Sequence, residues 1–191
     1  MNRPKLILAS ASPRRKQLLT EAGISFEVIV SGVDESQFST DDYTPERYAE
    51  VLAAAKAEDV ALKHPESVVI GADTIVDFDG CIIGKARDEQ QAEQITRRIF
   101  SAPHRVITGV AVVRLSDNTR DIRSDSTTIH PRKMSDEQIT VHIRKGSWKG
   151  KAGAYAIKEK GDPFVEKIEG SLTNVMGLPM ETLREMLDNI L

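Results

Sequence analysis

Two arginines follow a proline near the start of the chain, in the stretch LILASASPRRKQLLTEAG at residues 6–23. The short apolar run predicts a strand, and Pro13 predicts the first position of a helix. The amino end of a helix carries partial positive charge and free N–H groups, so Arg14 and Arg15 are unfavourable there without a negative partner. With the hydroxyl of Ser10 as a further donor, the pattern predicts an anion site, and two solvated surface charges are the alternative.

A second candidate group is Asp73, which interrupts an apolar, β-branched run of strand length in the sequence GADT. Burying a carboxylate is costly unless it is paired with a cation. A three-residue loop after this strand would place Asp73 opposite Lys85, whereas a two-residue loop at Asp79 and Gly80 would place Lys85 opposite Thr74. We expect the first register because it pairs opposite charges on one face of the hairpin. A purely structural ion pair is the alternative to a functional one.

A lysine and two acidic residues could share that site. Lys56 falls in the apolar stripe of a predicted helix, from which its ammonium can point into a cleft or extend to solvent. Asp34 and Glu35 directly follow a predicted strand end, where binding groups often lie, although acidic loop residues are commonly just solvated. One of these carboxylates together with Asp73 forms a set of hard oxygen ligands suited to Mg²⁺.

A glycine-punctuated basic segment, KGKAGAYAIKEKG at residues 149–161, adds more cations. Lys151, Gly153 and Lys158 lie where the backbone could approach a ligand closely, and a mobile basic loop is the alternative. Several cations and two carboxylates therefore fall near predicted strand ends and helix starts. This combination predicts a metal-assisted reaction on a polyphosphate.

The elements that must position these groups are strands and helices mixed along the whole chain. Strands are expected at 5–10, 25–33, 67–78, 81–85, 104–115, 122–131 and 164–170, and residues 171–178 are expected to form a loop. Helices are expected to begin after the capping residues Ser12, Thr44, Asp88 and Ser135 and at Pro179. In the second strand, Phe26, Val28 and Val30 are expected on one face. This mixture predicts an α/β fold, and the mid-chain hairpin makes its sheet mixed rather than wholly parallel.

Composition narrows the possible partners and locations. The 191 residues are enough for one domain, and the net charge of −3 gives no overall attraction to nucleic acid. No apolar run approaches the roughly 20 residues that a membrane-spanning helix needs, and the initial apolar run is too short for a secretory signal. The single cysteine, Cys81, excludes an intrachain disulfide framework. We therefore expect a cytoplasmic protein that binds neither nucleic acid nor membrane.

The ordered motifs LILASASPRRKQLL, VDES, GADTIV, GKARD, ITGVAV, KAGAYAI and NVMGLP resemble those of the Maf family of nucleoside triphosphate pyrophosphatases. The resemblance covers nearly the whole chain and implies a single domain over residues 1–191. It implies an α/β fold with a long curved mixed sheet flanked by helices, and two lobes with a central cleft. In this architecture it is similar to the inosine triphosphate pyrophosphatases. Family members often form homodimers, so the resemblance implies that state as well.

The resemblance also implies a reaction and its residues. The reaction is hydrolysis of a nucleoside triphosphate to the monophosphate and pyrophosphate with a divalent cation, Mg²⁺ or Mn²⁺. Asp73 falls at the position of the catalytic base and, with Glu35, of the metal ligands. The positions of the substrate-binding groups fall on Ser10, Arg14, Arg15, Lys56 and Lys85. A phosphatase that releases orthophosphate and a non-catalytic nucleotide-binding regulator of cell division are the alternatives.

Three positions follow base preference in the family, and here they are Arg14, Thr74 and Lys158. Arg14 and Thr74 resemble the branch of dTTP/UTP pyrophosphatases. Lys158 departs from that branch, which usually has glutamine at this position. Glutamine offers a donor and an acceptor to the edge of a base, whereas lysine offers only donors.

Overall fold

A seven-stranded mixed sheet organises the protein, and the computed structural model describes residues 4–155, 157 and 161–190. The strands are β1 (Leu6–Leu8), β2 (Glu27–Val28), β3 (Val68–Phe78), β4 (Cys81–Ile83), β5 (His104–Arg114), β6 (Thr119–Pro131) and β7 (Val165–Glu169). The helices are α1 (Pro13–Glu21), α2 (Pro45–Ala61), α3 (Glu89–Ile99), α4 (Asp136–Arg144), α5 (Leu172–Val175) and α6 (Met180–Asp188). The expected mixed α/β class is confirmed.

The order of the strands leaves an opening at one edge of β3. The sheet runs β2-β1-β3-β5-β6-β7, with β1 parallel to both of its neighbours and the remaining pairs antiparallel. One edge of β3 pairs with β5 from Val69 to Asp77. The other edge pairs with β1 at residues 68–70 and with β4 at residues 76–78. Residues 71–75 therefore lie in a gap between β1 and β4, which we call the edge gap.

Helix α2 crosses the sheet at very short range, because two glycines face it. A Cβ at Gly71 would collide with the Ala53 carbonyl oxygen and lie 2.7 Å from the backbone nitrogen of Ala57. A Cβ at Gly109 would likewise collide with the backbone of Ala49. Glycine in the strands and alanine on the helix thus allow backbone to approach backbone, and the long side chains of α2 come within reach of the edge gap.

The apolar core on the other face of the sheet divides into two clusters. One cluster surrounds α1 and α6 and includes Leu19, Leu183 and Met186. The second surrounds α3 and α4 and includes Phe100 and Trp148. These clusters are the cores of the two expected lobes, and the edge gap lies between them. No helix in the described part of the chain is both long enough and apolar enough to span a membrane.

The hairpin of β3 and β4 has the register that we did not expect. Phe78 pairs with Cys81 and Val76 with Ile83, so the loop has two residues rather than three. Asp79 and Gly80 have φ values of 54° and 76°. Positive φ at both central positions is the mark of a type I′ turn, for which Asp-Gly is a preferred sequence. The turn residues determined the register, and the charge pairing that we used to choose the other register did not.

Two further expectations about elements are wrong, whereas the predicted caps largely hold. The second strand was expected over residues 25–33, but β2 has only two residues at the edge of the sheet, and Val28 and Val30 are 39% and 58% exposed. Residues 171–178 contain the short helix α5 instead of only a loop. The side chains of Thr44, Asp88 and Ser135 accept the expected capping bonds. Ser12 occupies the cap position of α1, but its side chain makes no capping bond.

The close approach of α2 predicts a sharp difference between two glycine substitutions. Gly109→Ala should lower the free energy of unfolding by roughly 1–3 kcal/mol, because its methyl group has no room against the α2 backbone. Gly84→Ala, where a Cβ would meet nothing within 4 Å, should be neutral or slightly stabilising. Urea unfolding of both variants measures the difference. Equal effects would contradict the packing described here.

Candidate active site

Two carboxylates share one lysine beside the edge gap. The Lys56 ammonium nitrogen lies 2.6 Å from Oε1 of Glu35 and 2.6 Å from Oδ1 of Asp73. Lys85 approaches the same cluster, with its Nζ 3.2 Å from Oε2 of Glu35. Lys56 comes from α2, Asp73 from the edge gap, Glu35 from a turn of 3₁₀ helix after β2, and Lys85 from the segment after β4. We call these four side chains the carboxylate–lysine cluster.

The partner of Asp73 differs from the one that we expected. Asp73 was predicted to face Lys85, but the two-residue turn shifts the register and β4 ends at Ile83. Lys85 instead forms an isolated bridge with Ala152 and pairs with Glu35. Lys56 is the cation that compensates the buried Asp73 carboxylate. The prediction of a paired Asp73 was right, and its predicted partner was wrong.

The two lysines determine the charge state of Glu35. Burial acts to raise the pKa of this carboxyl, but the hydrogen bonds and charges of Lys56 and Lys85 together outweigh burial and hold the pKa below its ordinary value. Glu35 is therefore an anion at neutral pH. Its side chain is 41% exposed and that of Lys85 is 57% exposed, so these two form the solvent-facing side of the cluster.

Arg15 lies on the opposite face of β3 and connects three parts of the fold. Its Nε donates to the carbonyl of Gly177 at 2.7 Å, and its Nη2 donates to Oγ1 of Thr74 at 3.1 Å. Its Nη1 donates to Oγ of Ser10 at 3.0 Å and to the carbonyl of Ala72 at 2.9 Å. Burial lowers the pKa of Arg15, and the negative charges of the carboxylate–lysine cluster act in the opposite direction. Four of its five N–H groups are thus engaged by the protein, which makes Arg15 a brace of the site.

Arg14 points across the cleft instead. Its Nη1 donates to the carbonyl of Ile157 at 3.0 Å, and partial burial lowers its pKa. Helix α1 is therefore tied through neighbouring arginines to both lobes. The third position predicted to affect base preference, Lys158, lies outside the described residues.

The predicted residues meet in one cleft between the lobes, with a volume of about 810 Å³. Its lining includes Ser10, Arg14, Arg15, Glu35, Lys56, Asp73, Thr74 and Lys85. Lys151, which was selected from the basic segment, also lines it although it is far from the other residues in sequence. Lys149 lines it too, and the sequence did not lead us to select it. Elsewhere the wall is mainly apolar, with Val76, Val106 and Val175 among its residues.

The cluster contains a donor set for a cation but not a complete metal cage. Within the described residues there is no group of three or more His, Cys, Asp or Glu side chains that could hold a metal ion. Glu35 and Asp73 nevertheless direct one oxygen each at a single cationic position, which the Lys56 ammonium fills at 2.6 Å from both. Mg²⁺ commonly takes one or two carboxylates from the protein and further ligands from substrate phosphates.

Sequence reasoning also missed two polar residues beneath the cleft. Thr108 and Asn174 are fully buried and extend the hydrogen bonds of Thr74 into the core. The signal available for them was a polar residue inside otherwise apolar motifs, ITGVAV and NVMGLP. That signal does not indicate which groups they contact.

Comparisons with known proteins agree with the geometry. The family model for Maf-like proteins matches residues 5–190. A dTTP/UTP pyrophosphatase of Elusimicrobium minutum is 43% identical over 96% of this chain and 97% of its own length. A dTTP/UTP pyrophosphatase of Geotalea uraniireducens is 46% identical over 95% and 94%, respectively. A nucleoside-triphosphatase/dITP/XTP pyrophosphatase structure from Mycobacterium abscessus aligns over 98% of each chain with 15% identity and a TM-score of 0.44.

The depressed pKa of Glu35 predicts a stability difference that depends on pH. Glu35→Gln should destabilise the protein at pH 7 by under about 1 kcal/mol, since the pair is partly exposed to solvent. A carboxyl whose folded pKa lies below the ordinary 4.5 contributes stability above that value. The contribution is lost as pH falls through the folded pKa, so the difference between variant and wild type should vanish in acid. Urea unfolding from pH 7 to pH 3 measures it.

The exposed Glu166 on β7 provides the control. Glu166→Gln should give a smaller difference at pH 7, because among the described residues no ion pair with a lysine holds that side chain. A Glu35→Gln difference that grows as the pH falls would contradict the assignment.

Proposed function

The chain belongs to the Maf-like protein family, and we propose that it is a nucleoside triphosphate pyrophosphatase acting on dTTP or UTP. The observation that carries this proposal is the pair of carboxylates sharing the Lys56 ammonium in a cleft lined by further cations. The named substrates come from its relatives, which are dTTP/UTP pyrophosphatases.

The size and charge of the cleft suit a nucleotide. Its volume of about 810 Å³ falls within the range of about 300–1,000 Å³ that is usual for small-molecule sites. Glu35 and Asp73 bring two negative charges to it, against six positive charges from Arg14, Arg15, Lys56, Lys85, Lys149 and Lys151. The side chains that line the cleft thus carry a net positive charge, although the whole chain carries a net charge of −3. A triphosphate, which can bring its metal ion with it, is attracted to such a site.

Glu35 and Asp73 would hold the divalent cation, Mg²⁺ or Mn²⁺, that the resemblance implies. Their hard oxygens and their shared contact with one ammonium fit this role. The cation, when bound, would offset the negative charge that builds on the phosphate oxygens. With only two carboxylates from the described chain, its coordination would need the phosphates of the substrate.

The remaining chemistry falls to the side chains of the cleft. Asp73 orients a water molecule for in-line attack on the α-phosphorus and accepts its proton. The bond between the α-phosphorus and the bridging oxygen breaks, and pyrophosphate leaves with the electron pair. Lys56 and Lys85 stabilise the charge on the phosphates. Arg15, as a brace, keeps Ser10 and Thr74 in place around the substrate.

Three further points belong to this proposal. We infer that residues 1–191 form a single domain, because one sheet runs from β1 to β7 and the family model covers residues 5–190. A cytoplasmic location is supported by Cys81, which is an exposed free thiol that suits a reducing compartment. The homodimer implied by the resemblance stays a prediction, which sedimentation at several concentrations tests.

Replacing the proposed base predicts a loss of turnover without a loss of folding. Asp73→Asn should lower kcat by at least about 100-fold, since the amide cannot accept the proton from water. The nucleotide should still bind, because the cations of the cleft remain. Asp77→Asn is the matched control, as Asp77 is a buried carboxylate on the same face of β3 and pairs with Arg105 outside the cleft. Similar kcat values for both variants would remove Asp73 from the mechanism.

The position of attack is tested with isotopic water. In H₂¹⁸O, attack at the α-phosphorus should put the label in the nucleoside monophosphate and none in pyrophosphate. Mass spectrometry of the products measures this directly. Labelled orthophosphate would instead support the phosphatase alternative, and nucleotide binding without any product would support the regulator.

A further inference from the structure

A chain of hydroxyl groups leads from the cleft into the core. Oγ1 of Thr74 lies 2.9 Å from Oγ1 of Thr108, and the Thr108 hydroxyl donates to the carbonyl oxygen of Asn174 at 3.0 Å. Thr74 lines the cleft, whereas Thr108 and Asn174 are fully buried. Nothing in the proposed hydrolysis uses the two buried residues.

The acceptor at the buried end of this series of hydroxyl groups determines the direction of its hydrogen bonds. A carbonyl oxygen can only accept, so Thr108 gives its one hydrogen to Asn174 and must accept the hydrogen of Thr74. At the cleft end, the Arg15 guanidinium can only donate, and it bonds Thr74 at 3.1 Å. The hydroxyl of Thr74 has then used its hydrogen and one lone pair. One lone pair remains for a ligand.

The other acceptor near Thr74 also belongs to the protein. The carbonyl of Gly177 lies 3.5 Å from Oγ1 of Thr74, which is at the limit of a hydrogen bond. The bond to Thr108 is much shorter, so we assign the hydrogen to Thr108. While Thr108 is present, the hydrogen of Thr74 therefore stays within the protein and does not face the cleft.

The carbonyl that ends the chain is itself firmly held. The side-chain amide of Asn174 donates to the carbonyl of Val106 at 3.0 Å and to Oγ1 of Thr127 at 2.9 Å. Its backbone nitrogen donates to the capping Ser171 at the start of α5. Two strands and a helix cap thus fix the Asn174 carbonyl, and this leaves the hydroxyls little freedom to reverse.

The two faces of β3 divide the cleft into two halves. Side chains alternate along a strand, so Asp73 faces α2 and the carboxylate–lysine cluster, and Thr74 faces the other side. On the Thr74 side, beyond the Arg15 guanidinium, whose N–H groups are mostly used by the protein, the wall includes the apolar residues Val76, Val106 and Val175. Phosphates belong at the charged cluster, and the uncharged base belongs in the half that Thr74 lines.

We propose that Thr108 and the Asn174 carbonyl are positioning groups that hold the Thr74 hydroxyl as a hydrogen-bond acceptor and so select a base with a ring N–H donor. Uracil and thymine present such a donor at N3, whereas cytosine presents an acceptor at the same position. This inference rests on the proposed function. It adds a physical cause for a preference for uracil and thymine over cytosine.

Thr108→Val tests the proposal, because valine keeps the shape of threonine and removes the acceptor for the Thr74 hydrogen. That hydrogen then keeps only the distant Gly177 carbonyl, at 3.5 Å, as an acceptor among the described residues, so it can turn toward the cleft and meet N3 of cytosine. The ratio of kcat/KM for UTP to that for CTP should fall by about tenfold or more, since Thr74 would lose its hydrogen bond with N3 of uracil and gain one with N3 of cytosine. Thr108→Ser, which retains the hydroxyl, should restore the ratio.

Thr96→Val is the matched control. Thr96 is also fully buried and donates to a backbone carbonyl, that of Ala92 in α3, but it does not line the cleft. This variant should lower the melting temperature without changing the ratio. An unchanged ratio in folded Thr108→Val would overturn the proposal. If Thr108→Val does not fold, Thr108→Cys replaces it, as a thiol is a weak acceptor.

Equilibrium binding separates this inference from the proposed function. The dissociation constants of α,β-imido-UTP and α,β-imido-CTP, measured by calorimetry, give the same selectivity without turnover. If the wild type releases no pyrophosphate, the proposed function fails, and the two dissociation constants still decide the role of Thr108. If the wild type hydrolyses UTP and CTP equally well and binds both analogues equally, the function stands and this inference fails.

Discussion

The close contact between helix α2 and the sheet is the constraint on which the site depends. Gly71 and Gly109 leave no side chain between the strands and the alanines of the helix. Lys56 can reach Asp73 only because the helix lies so near, and the contact of 2.6 Å compensates a carboxylate that would otherwise be costly to bury. The same lysine also holds Glu35, which comes from a turn far from the strand in sequence.

The edge gap makes a cleft that has access to both faces of one strand. Because β1 and β4 share one edge of β3 without meeting, residues 71–75 have no neighbouring strand on that side in the described part of the chain. The Asp73 side chain can then lie in the half of the cleft that contains the carboxylate–lysine cluster, while the neighbouring Thr74 lines the other half. On the Thr74 face of β3, Arg15 holds the strand in place by donating hydrogen bonds to Ser10, Ala72, Thr74 and Gly177. The carboxylate–lysine cluster, the Arg15 guanidinium and the hydroxyl groups of Thr74 and Thr108 therefore all contact a few residues of β3.

The sequence allowed the kinds of functional residue to be predicted better than their partners. Asp73 and Lys56 stood out because a charge inside an apolar run must find compensation, which is a local signal. Their contact depends on how closely α2 approaches the sheet, and no local pattern encodes that. The hairpin register was mistaken because charge pairing was weighed above the Asp-Gly turn. The role of Arg15 as a phosphate ligand stays a prediction, and its bond to Gly177, which joins residues 162 positions apart, was beyond any local signal.

The most direct measurement locates Mn²⁺ bound together with α,β-imido-dTTP. Paramagnetic broadening of backbone amide signals, compared with the Mg²⁺ complex, reports which residues surround the ion. If the carboxylate–lysine cluster is the place where cation and phosphates meet, the losses will centre on residues 34–36 and 72–74. Losses centred elsewhere in the chain, or none, would contradict the account.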